Sequence, residues 1–186
     1  MIGYAFCGSS CTLEKSLSVL KKLADSGQDI VPIMSERVYG TDTRFFNAEE
    51  LRRRVRDICG KDIIHTVEAA EPLGPKTVLD ALIVAPCTGN TLAKVAGGIT
   101  DGAVTMAIKA HLRCDRPTLI ALASNDAMSQ NLANIGTLLA RKAVYMVPMR
   151  QDDPKSKPHS LVADFDKIEF AYELMQRGIQ LRPLFL

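Results

Sequence analysis

Five short runs of apolar residues alternate along the chain with longer segments whose apolar positions recur every three to four residues. The apolar runs are continuous and lack the polar residue at every second position that marks a half-exposed strand. Continuous runs are typical of a parallel sheet that helices cover on both faces. The predicted strands are residues 1–6, 29–34, 79–85, 117–123 and 143–148.

The segments between these strands carry helix signals. Asn47, followed by Glu50 three positions later, predicts a capped helix start, and Gly60 suits the end of the same helix. These elements predict one doubly wound α/β domain over residues 1–186, Rossmann-like and flavodoxin-like, with a polar loop at about 150–160. The other predicted helices lie at about residues 13–24, 92–96, 104–112, 132–139 and 168–176.

Three of the predicted strands end in loops of small residues with hydroxyl or amide side chains, and each loop leads directly into a helix. Ligands of such sheets bind at the carboxyl ends of the strands, where helix starts offer unpaired N–H groups to an anion. A helix cap with a turn is the more common explanation of any one such loop. Three together predict a bound phosphate or carboxylate. The candidate binding residues, which include one that follows the second strand, are Gly8, Ser9, Ser10, Ser35, Thr88, Gly89, Asn90, Thr91, Ser124 and Asn125.

Composition and charge exclude several classes of protein. The chain has 186 residues, 47% of them hydrophobic, and a formal net charge of +2, which argues against disorder and against nucleic-acid binding by bulk attraction. The basic residues of segment 52–56 are interpreted as a solvated helix face. The absence of a long apolar run and of a signal-peptide pattern leads us to expect a cytoplasmic protein. Five scattered cysteines predict neither disulfides nor a metal site, and Cys87 is interpreted as a small buried residue.

Two common nucleotide signatures are missing. Gly3 and Gly8 have the spacing of P-loop glycines, but Ser9 stands where the lysine is required. The first loop does not form G-x-G-x-x-G, and no acidic residue stands at the expected ribose position. We therefore expect no self-contained NAD site in this chain.

At its loops the chain resembles the homo-oligomeric flavin-containing cysteine decarboxylases. The matching segments are Gly8-Ser9-Ser10, Pro86-Cys87-Thr88-Gly89-Asn90-Thr91 and Ser124-Asn125-Asp126. The resemblance implies FMN, with a site that is only partly retained, and self-association into trimers or larger assemblies. That family's active-site histidine is absent, because Ala70 or Glu71 stands at its position, and its tryptophan-bearing loop is reduced to residues 123–128. An FMN-dependent cysteine decarboxylase is therefore one alternative function.

A longer set of segments is similar to the family of dipicolinate synthase B subunits. The resemblance covers almost the whole chain and implies NAD(P)-dependent formation of dipicolinate from a dihydro- or hydroxytetrahydrodipicolinate precursor, in the mother-cell cytoplasm during sporulation. It also implies a partner A subunit that carries the NAD(P) site. A non-catalytic scaffold for that partner is a second alternative, and no catalytic residue is assigned. The similar segments are residues 70–76, 85–94, 116–136 and 147–165.

Some residues outside the loops are weaker candidates. Lys109, Arg113 and Arg116 are candidate partners for a dicarboxylate, although a solvated helix end explains them more simply. His65 and His111 have no evident partner in the sequence, and neither is assigned a role in proton transfer.

Overall fold

Five parallel strands form the centre of the structure, a computed structural model that describes residues 1–186. Their order across the sheet is β2–β1–β3–β4–β5, and each corresponds to one of the predicted apolar runs. The predicted doubly wound α/β fold is confirmed. The strands are Ile2–Phe6 (β1), Ile30–Met34 (β2), Ala81–Cys87 (β3), Thr118–Ser124 (β4) and Val144–Met146 (β5).

Each central strand contributes to two separate cores. Successive side chains of a strand point to opposite faces of the sheet. In β3, Leu82 and Val84 therefore join one core, while Ala81 and Ile83 join the other. Every residue of this strand is buried. Burial on both faces is the physical reason why the strands read as continuous apolar runs.

Eight helices cover the sheet or lie in the connections around it. The predicted helix start at Asn47 is confirmed, because its side chain accepts a hydrogen bond from the N–H of Glu50 at 3.1 Å. Gly60 follows the same helix with a φ of +63°, a conformation that glycine adopts without strain. None of the helices combines the length and the apolar character needed to span a membrane. The helices are Leu13–Asp25 (α1), Glu36–Gly40 (α2), Ala48–Cys59 (α3), Val67–Ala70 (α4), Gly89–Ala96 (α5), Ala103–Leu112 (α6), Gln130–Leu139 (α7) and Ile168–Gln176 (α8).

An antiparallel extension, which the sequence did not predict, lies beside the end of β4. Strands Met149–Arg150 (β6) and Leu161–Ala163 (β7) pair with each other, and β7 also pairs with the last two residues of β4. The polar segment 151–160 joins the two short strands. This segment, predicted only as a loop, is thereby held close to the carboxyl end of β4.

The functional edge of the sheet follows from this order. β1 lies between β2 and β3, so the winding of the chain reverses beside β1. Such a reversal point in a parallel sheet opens a crevice beyond the carboxyl ends of the strands. The loops that follow β1, β2, β3 and β4 all emerge at this edge.

Candidate functional site

The loops at the carboxyl edge surround a cleft with two compartments, which share Gly8, Thr88 and Asn90. The β2-side compartment has a volume of about 480 Å³ and the β4-side compartment about 640 Å³. Besides the shared residues, the β2-side compartment is lined by Ser35, Glu36, Arg37, Thr91, Lys94, Asp101, Gly102, Val104 and Thr105. The β4-side compartment is lined by Ser9, Ser10, Cys11, Arg44, Phe45, Gly89, Ala123, Ser124, Asn125, Asp126, Asp152, Lys157 and Val162. All ten candidate residues from the sequence line the cleft, and their role in binding stays a prediction.

Two of the candidate hydroxyl groups cap helices. Thr88 Oγ1 accepts a hydrogen bond from the N–H of Thr91 at 3.2 Å and donates to Thr91 Oγ1 at 3.1 Å. Ser35 Oγ accepts from the N–H of Val38 at 3.5 Å. These contacts fix the starts of α5 and α2, as expected for Ser and Thr at N-caps. The contact with Val38 leaves the hydroxyl proton of Ser35 unused, whereas the buried Thr91 hydroxyl also hydrogen bonds to the Cys7 thiol.

Several backbone donors of the cleft have no partner within the protein. They are the N–H groups of Gly8, Ser10 and Cys11 after β1 and those of Gly89 and Asn90 in the first turn of α5. Open N–H groups at a helix start, together with the positive end of the helix dipole, favour an oxyanion. The shared wall of the cleft therefore suits a carboxylate or a phosphate.

Ser124 is bound to a carboxylate of the protein itself. Its hydroxyl donates to Asp126, and Asn131 donates to the other oxygen of that carboxylate at 2.9 Å. These two bonds, that of Ser124 first, hold the pKa of Asp126 below its usual value. A Cβ at Gly89 would lie 2.3 Å from Ser124 Oγ and 2.8 Å from Asp126 Oδ1, so only glycine admits this close approach. In this arrangement the hydroxyl proton of Ser124 is used within the protein and is not available to a ligand. Ser124 therefore drops out of the hydroxyl donors that the sequence predicts for the cleft.

Glu36 occupies the start of α6 in a similar way. Its Oε1 accepts from the N–H of Ala103 at 2.8 Å, and a Cβ at Gly102 would lie 3.0 Å from its Oε2. A carboxylate is stabilised at a helix N-terminus. Neither Glu36 nor Asp126 was among the candidate binding residues, although both stand next to them, and the contact of Glu36 with Ala103 spans 67 positions of the chain.

Four cationic side chains line the cleft, and two of them are neutralised by ion pairs. Arg37 in the β2-side compartment and Arg44 in the β4-side compartment form no ion pair. They are the cations that remain available to an anionic ligand, and sequence reasoning did not identify them. The neutralised cations belong to the pairs Lys94–Asp101 at 2.8 Å and Lys157–Asp152 at 3.0 Å.

The basic residues that the sequence offered as candidates lie elsewhere. Arg116 donates to the carbonyl of Leu79 at 3.3 Å, just before β3 begins, and therefore lies at the amino edge of the sheet. Lys109 and Arg113 line a separate cavity of about 280 Å³ between α5 and α6. None of these three cations lines the cleft, and the position of Lys109 and Arg113 at the end of α6 agrees with the simpler interpretation as a helix end.

No histidine lines the cleft. The ring of His65 stacks on Tyr39 with centroids 3.6 Å apart. His111 is buried and its Nε2 donates to the carbonyl of Pro117 at 3.0 Å; burial lowers the pKa of this imidazole. His159 is exposed on the segment between β6 and β7. The cleft therefore offers no imidazole for proton transfer.

Cys87 lies beneath the cleft. It is fully buried, and a hydrogen bond with Cys7 together with burial raises the pKa of its thiol well above the ordinary value. A protonated thiol is a poor nucleophile. The interpretation of Cys87 as a small buried residue therefore agrees with the structure.

The chain is similar to known proteins over most of its length. Residues 1–168 match the family model described as Flavoprotein. Over 183 residues the chain is 37% identical to the dipicolinate synthase B subunit of Bacillus subtilis (strain 168), covering 98% of this chain and 92% of that protein. The chain belongs to the flavoprotein family, among the dipicolinate synthase B subunits.

Two solved structures match the fold of this chain. The crystal structure of the dipicolinate synthase B subunit from Bacillus halodurans C matches with a TM-score of 0.91 and 36% identity, covering 100% of this chain and 95% of that one. A dodecameric FMN-dependent Ubix-like decarboxylase from Escherichia coli O157:H7 matches with a TM-score of 0.66 and 22% identity, covering 96% and 95%. The second likeness shows that the fold is shared.

Proposed function

We propose that this chain works as the B subunit of a dipicolinate synthase and binds the anionic precursor that is oxidised to dipicolinate. The precursor is a dihydrodipicolinate, or a hydroxytetrahydrodipicolinate that loses water before it is oxidised, and the NAD(P)+ that accepts the hydride is held by a partner A subunit. The supporting relative is the B subunit from Bacillus subtilis, at 37% identity. The observation that carries the proposal is the cleft, where open N–H groups and two unpaired arginines meet at one sheet edge.

The residues of the cleft bind and orient in this proposal. The N–H groups of Gly8, Gly89 and Asn90 donate to a carboxylate of the precursor, since charge-assisted hydrogen bonds of this kind are strong. Asp126 is held as an anion by Ser124 and Asn131, which ties the loop after β4 to the end of that strand and to α7. No residue of this chain is assigned as a general base, because no imidazole lines the cleft and the carboxylate of Asp126 has a lowered pKa.

The cleft also fits FMN, which the flavoprotein family implies as a cofactor. The open N–H groups and the hydroxyl groups of Ser9 and Ser10 suit its phosphate. Phe45, Ala123 and Val162 supply an apolar wall in the β4-side compartment for the flat ring. FMN supplies redox chemistry when it is bound, and this chain's residues would hold its two ends.

We also propose the biological setting that the family implies. Dipicolinate formation takes place during sporulation, in the cytoplasm of the mother cell, and the chain forms a homo-oligomer that associates with the A subunit. The dodecameric relative from Escherichia coli supports self-association, because it has the same fold. Size-exclusion chromatography with light scattering, with and without the A subunit, measures both assemblies directly.

Reconstitution with the A subunit tests the proposal. NAD(P)H formation is followed by absorbance with only the A subunit present, with this chain added, and with a variant in which Ser9, Thr88 and Asn90 are all changed to Ala. We expect NAD(P)H formation to require this chain. We expect the assembly with the triple variant to form much less NAD(P)H than the assembly with the wild type. A matched control changes Lys109 and Arg113 to Ala, because both lie outside the cleft.

The same experiment separates catalysis from scaffolding. A triple variant that retains full NAD(P)H formation in its assembly with the A subunit would show that the loops only support the fold. In that case the chain is a scaffold, and the proposed role of the cleft is wrong.

A second candidate function is FMN-dependent decarboxylation of a cysteine-containing peptide. The fit of the cleft to a flavin favours it, whereas the absence of a histidine from the cleft opposes it. The visible spectrum of the purified protein reveals bound flavin, and release of CO₂ from a peptide with a C-terminal cysteine reveals the activity. Decarboxylation without any A subunit would establish this candidate in place of the first.

A further inference from the structure

The two compartments of the cleft have matching charge arrangements. Each contains one cation that is paired with an aspartate and one arginine that is not paired. Arg37 lies in the first turn of α2 and borders the β2-side compartment, whereas Arg44 lies further along the same connection and borders the β4-side compartment. Both arginines are exposed, and Arg44 lies over the ring of Phe45, 4.6 Å from its centroid.

The carboxylates of the cleft are already satisfied by other groups. Glu36 accepts from the N–H of Ala103, and Asp126 accepts from Ser124 and Asn131. Neither is within ion-pair distance of an arginine. Each compartment therefore presents one guanidinium whose charge is not compensated by a neighbouring side chain.

The two compartments adjoin each other, because three residues line both of them. This shared wall consists of Gly8, Thr88 and Asn90, and Gly8 contributes no side chain. A Cβ at Gly8 would already lie 3.6 Å from Arg37 Cδ, so the arginine stem runs directly beside the shared wall. The side chain of Asn90 is exposed there. A ligand that rests on these three residues is therefore in contact with both compartments.

We propose that Arg37 and Arg44 together select a ring dicarboxylate, with one carboxylate held in each compartment. The proposal rests on the proposed function and deepens it, because it names the two groups that recognise the substrate class. Arginine suits this task, since its planar guanidinium binds a carboxylate through two parallel hydrogen bonds. A ligand with a single carboxylate uses only one of the two arginines.

Calorimetric titration of the purified full chain tests the selection. The ligands are pyridine-2,6-dicarboxylate and pyridine-2-carboxylate, which differ by one carboxylate. The wild-type chain binds the dicarboxylate about tenfold or more tightly than the monocarboxylate, a typical effect of one charge-assisted contact. Arg37→Ala and Arg44→Ala each bind the two ligands with nearly equal affinity, because one arginine remains.

The conservative variants and a control sharpen the result. Arg37→Lys and Arg44→Lys retain part of the preference, since the charge stays and the bidentate geometry is lost. Arg53→Ala keeps the full preference, because Arg53 is an exposed helix residue paired with Asp57 at 3.5 Å and lies outside the cleft. Equal affinity of the wild type for both ligands would overturn the proposal, and so would an undiminished preference in both alanine variants.

Failure of this inference is distinguishable from failure of the proposed function. If the chain supports NAD(P)H formation with the A subunit while both alanine variants keep the dicarboxylate preference, the two-arginine inference is wrong and the proposed function stands. If the preference depends on both arginines but no NAD(P)H forms with the A subunit, the recognition of a dicarboxylate stands and the synthase role is wrong.

Discussion

Replacement of Gly89 by Ala tests the packing that holds the cleft together. Gly89 is the first residue of α5, and a methyl group at this position would lie 2.3 Å from Ser124 Oγ and 2.7 Å from Asn131 Nδ2. Both groups hydrogen bond to Asp126, so neither moves without disturbing that carboxylate. The substitution therefore pushes the loop after β4 away from α5.

The expected loss of stability follows from two opposing effects. Overpacking of a well-packed site costs about 1–3 kcal/mol of folding free energy. Weakening a hydrogen bond to the charged Asp126 adds a cost of up to about 1.5 kcal/mol, because water replaces that bond only in part. Alanine is favoured over glycine in a helix interior by at most about 1 kcal/mol, and less in the first turn. We expect a net destabilisation of about 2 kcal/mol, which lowers the Tm of a chain of this size by roughly 4–8 °C.

Gly136→Ala is the matched control. Gly136 lies within α7, and no atom would lie within 4 Å of its Cβ. The same change is expected to stabilise the protein there by about 0.5–1 kcal/mol through helix propensity. Urea unfolding followed by circular dichroism measures both variants. A Gly89→Ala variant as stable as the wild type, beside a stabilised Gly136→Ala variant, would refute the described packing of Ser124 and Asp126 on α5.

Three further predictions concern buried or hydrogen-bonded groups. Tyr4→Phe removes a buried hydroxyl that lies 3.1 Å from the carbonyl and 3.0 Å from the hydroxyl of Ser16. We expect the free energy of unfolding in urea to fall by about 1–2 kcal/mol, and an unchanged urea midpoint would contradict this. Burial lowers the pKa of His111, so the unfolded chain takes up a proton that the folded chain does not, and stability falls as the pH decreases below about 6.5. His111→Gln should flatten that decline between about pH 7 and pH 5, and an unchanged slope would count against the buried neutral imidazole. The lowered pKa of Asp126 stabilises the fold above its usual pKa, and this contribution is lost as the pH falls through the folded value. The Asp126→Asn variant should therefore lose less stability than the wild type when the pH falls below about 4. Equal acid sensitivity of the variant and the wild type would argue against the contacts of Asp126.

The fold was largely predictable because burial leaves a direct mark on the sequence. Strands β1 to β4 are buried at nearly every position, so their apolar runs are uninterrupted. The start of α3 was predictable because a cap is a local interaction between Asn47 and Glu50. Strands β6 and β7 contain two and three residues and flank a polar segment. Their pairing depends on the distant end of β4, which no local pattern reveals.

The candidate site was predictable in its residue types and less so in its charges. Hydroxyl, amide and glycine residues after three strands indicated the loops, and topology brings those loops together. The importance of Arg37 and Arg44 depends on which cations find a partner, and Lys94 and Lys157 find theirs only in the folded chain. The role of Glu36 depends in the same way on Ala103, which is 67 positions away. Such pairings depend on the conformation of the loops in the folded chain and leave no periodic signal in the sequence.

A crystal structure of the chain grown with pyridine-2,6-dicarboxylate would locate the bound ligand. We expect the ligand to rest on the wall of Gly8, Thr88 and Asn90, with one carboxylate beside Arg37 and the other beside Arg44. Ligand bound instead at Lys109 and Arg113, with the cleft closed by the protein's own side chains, would contradict it.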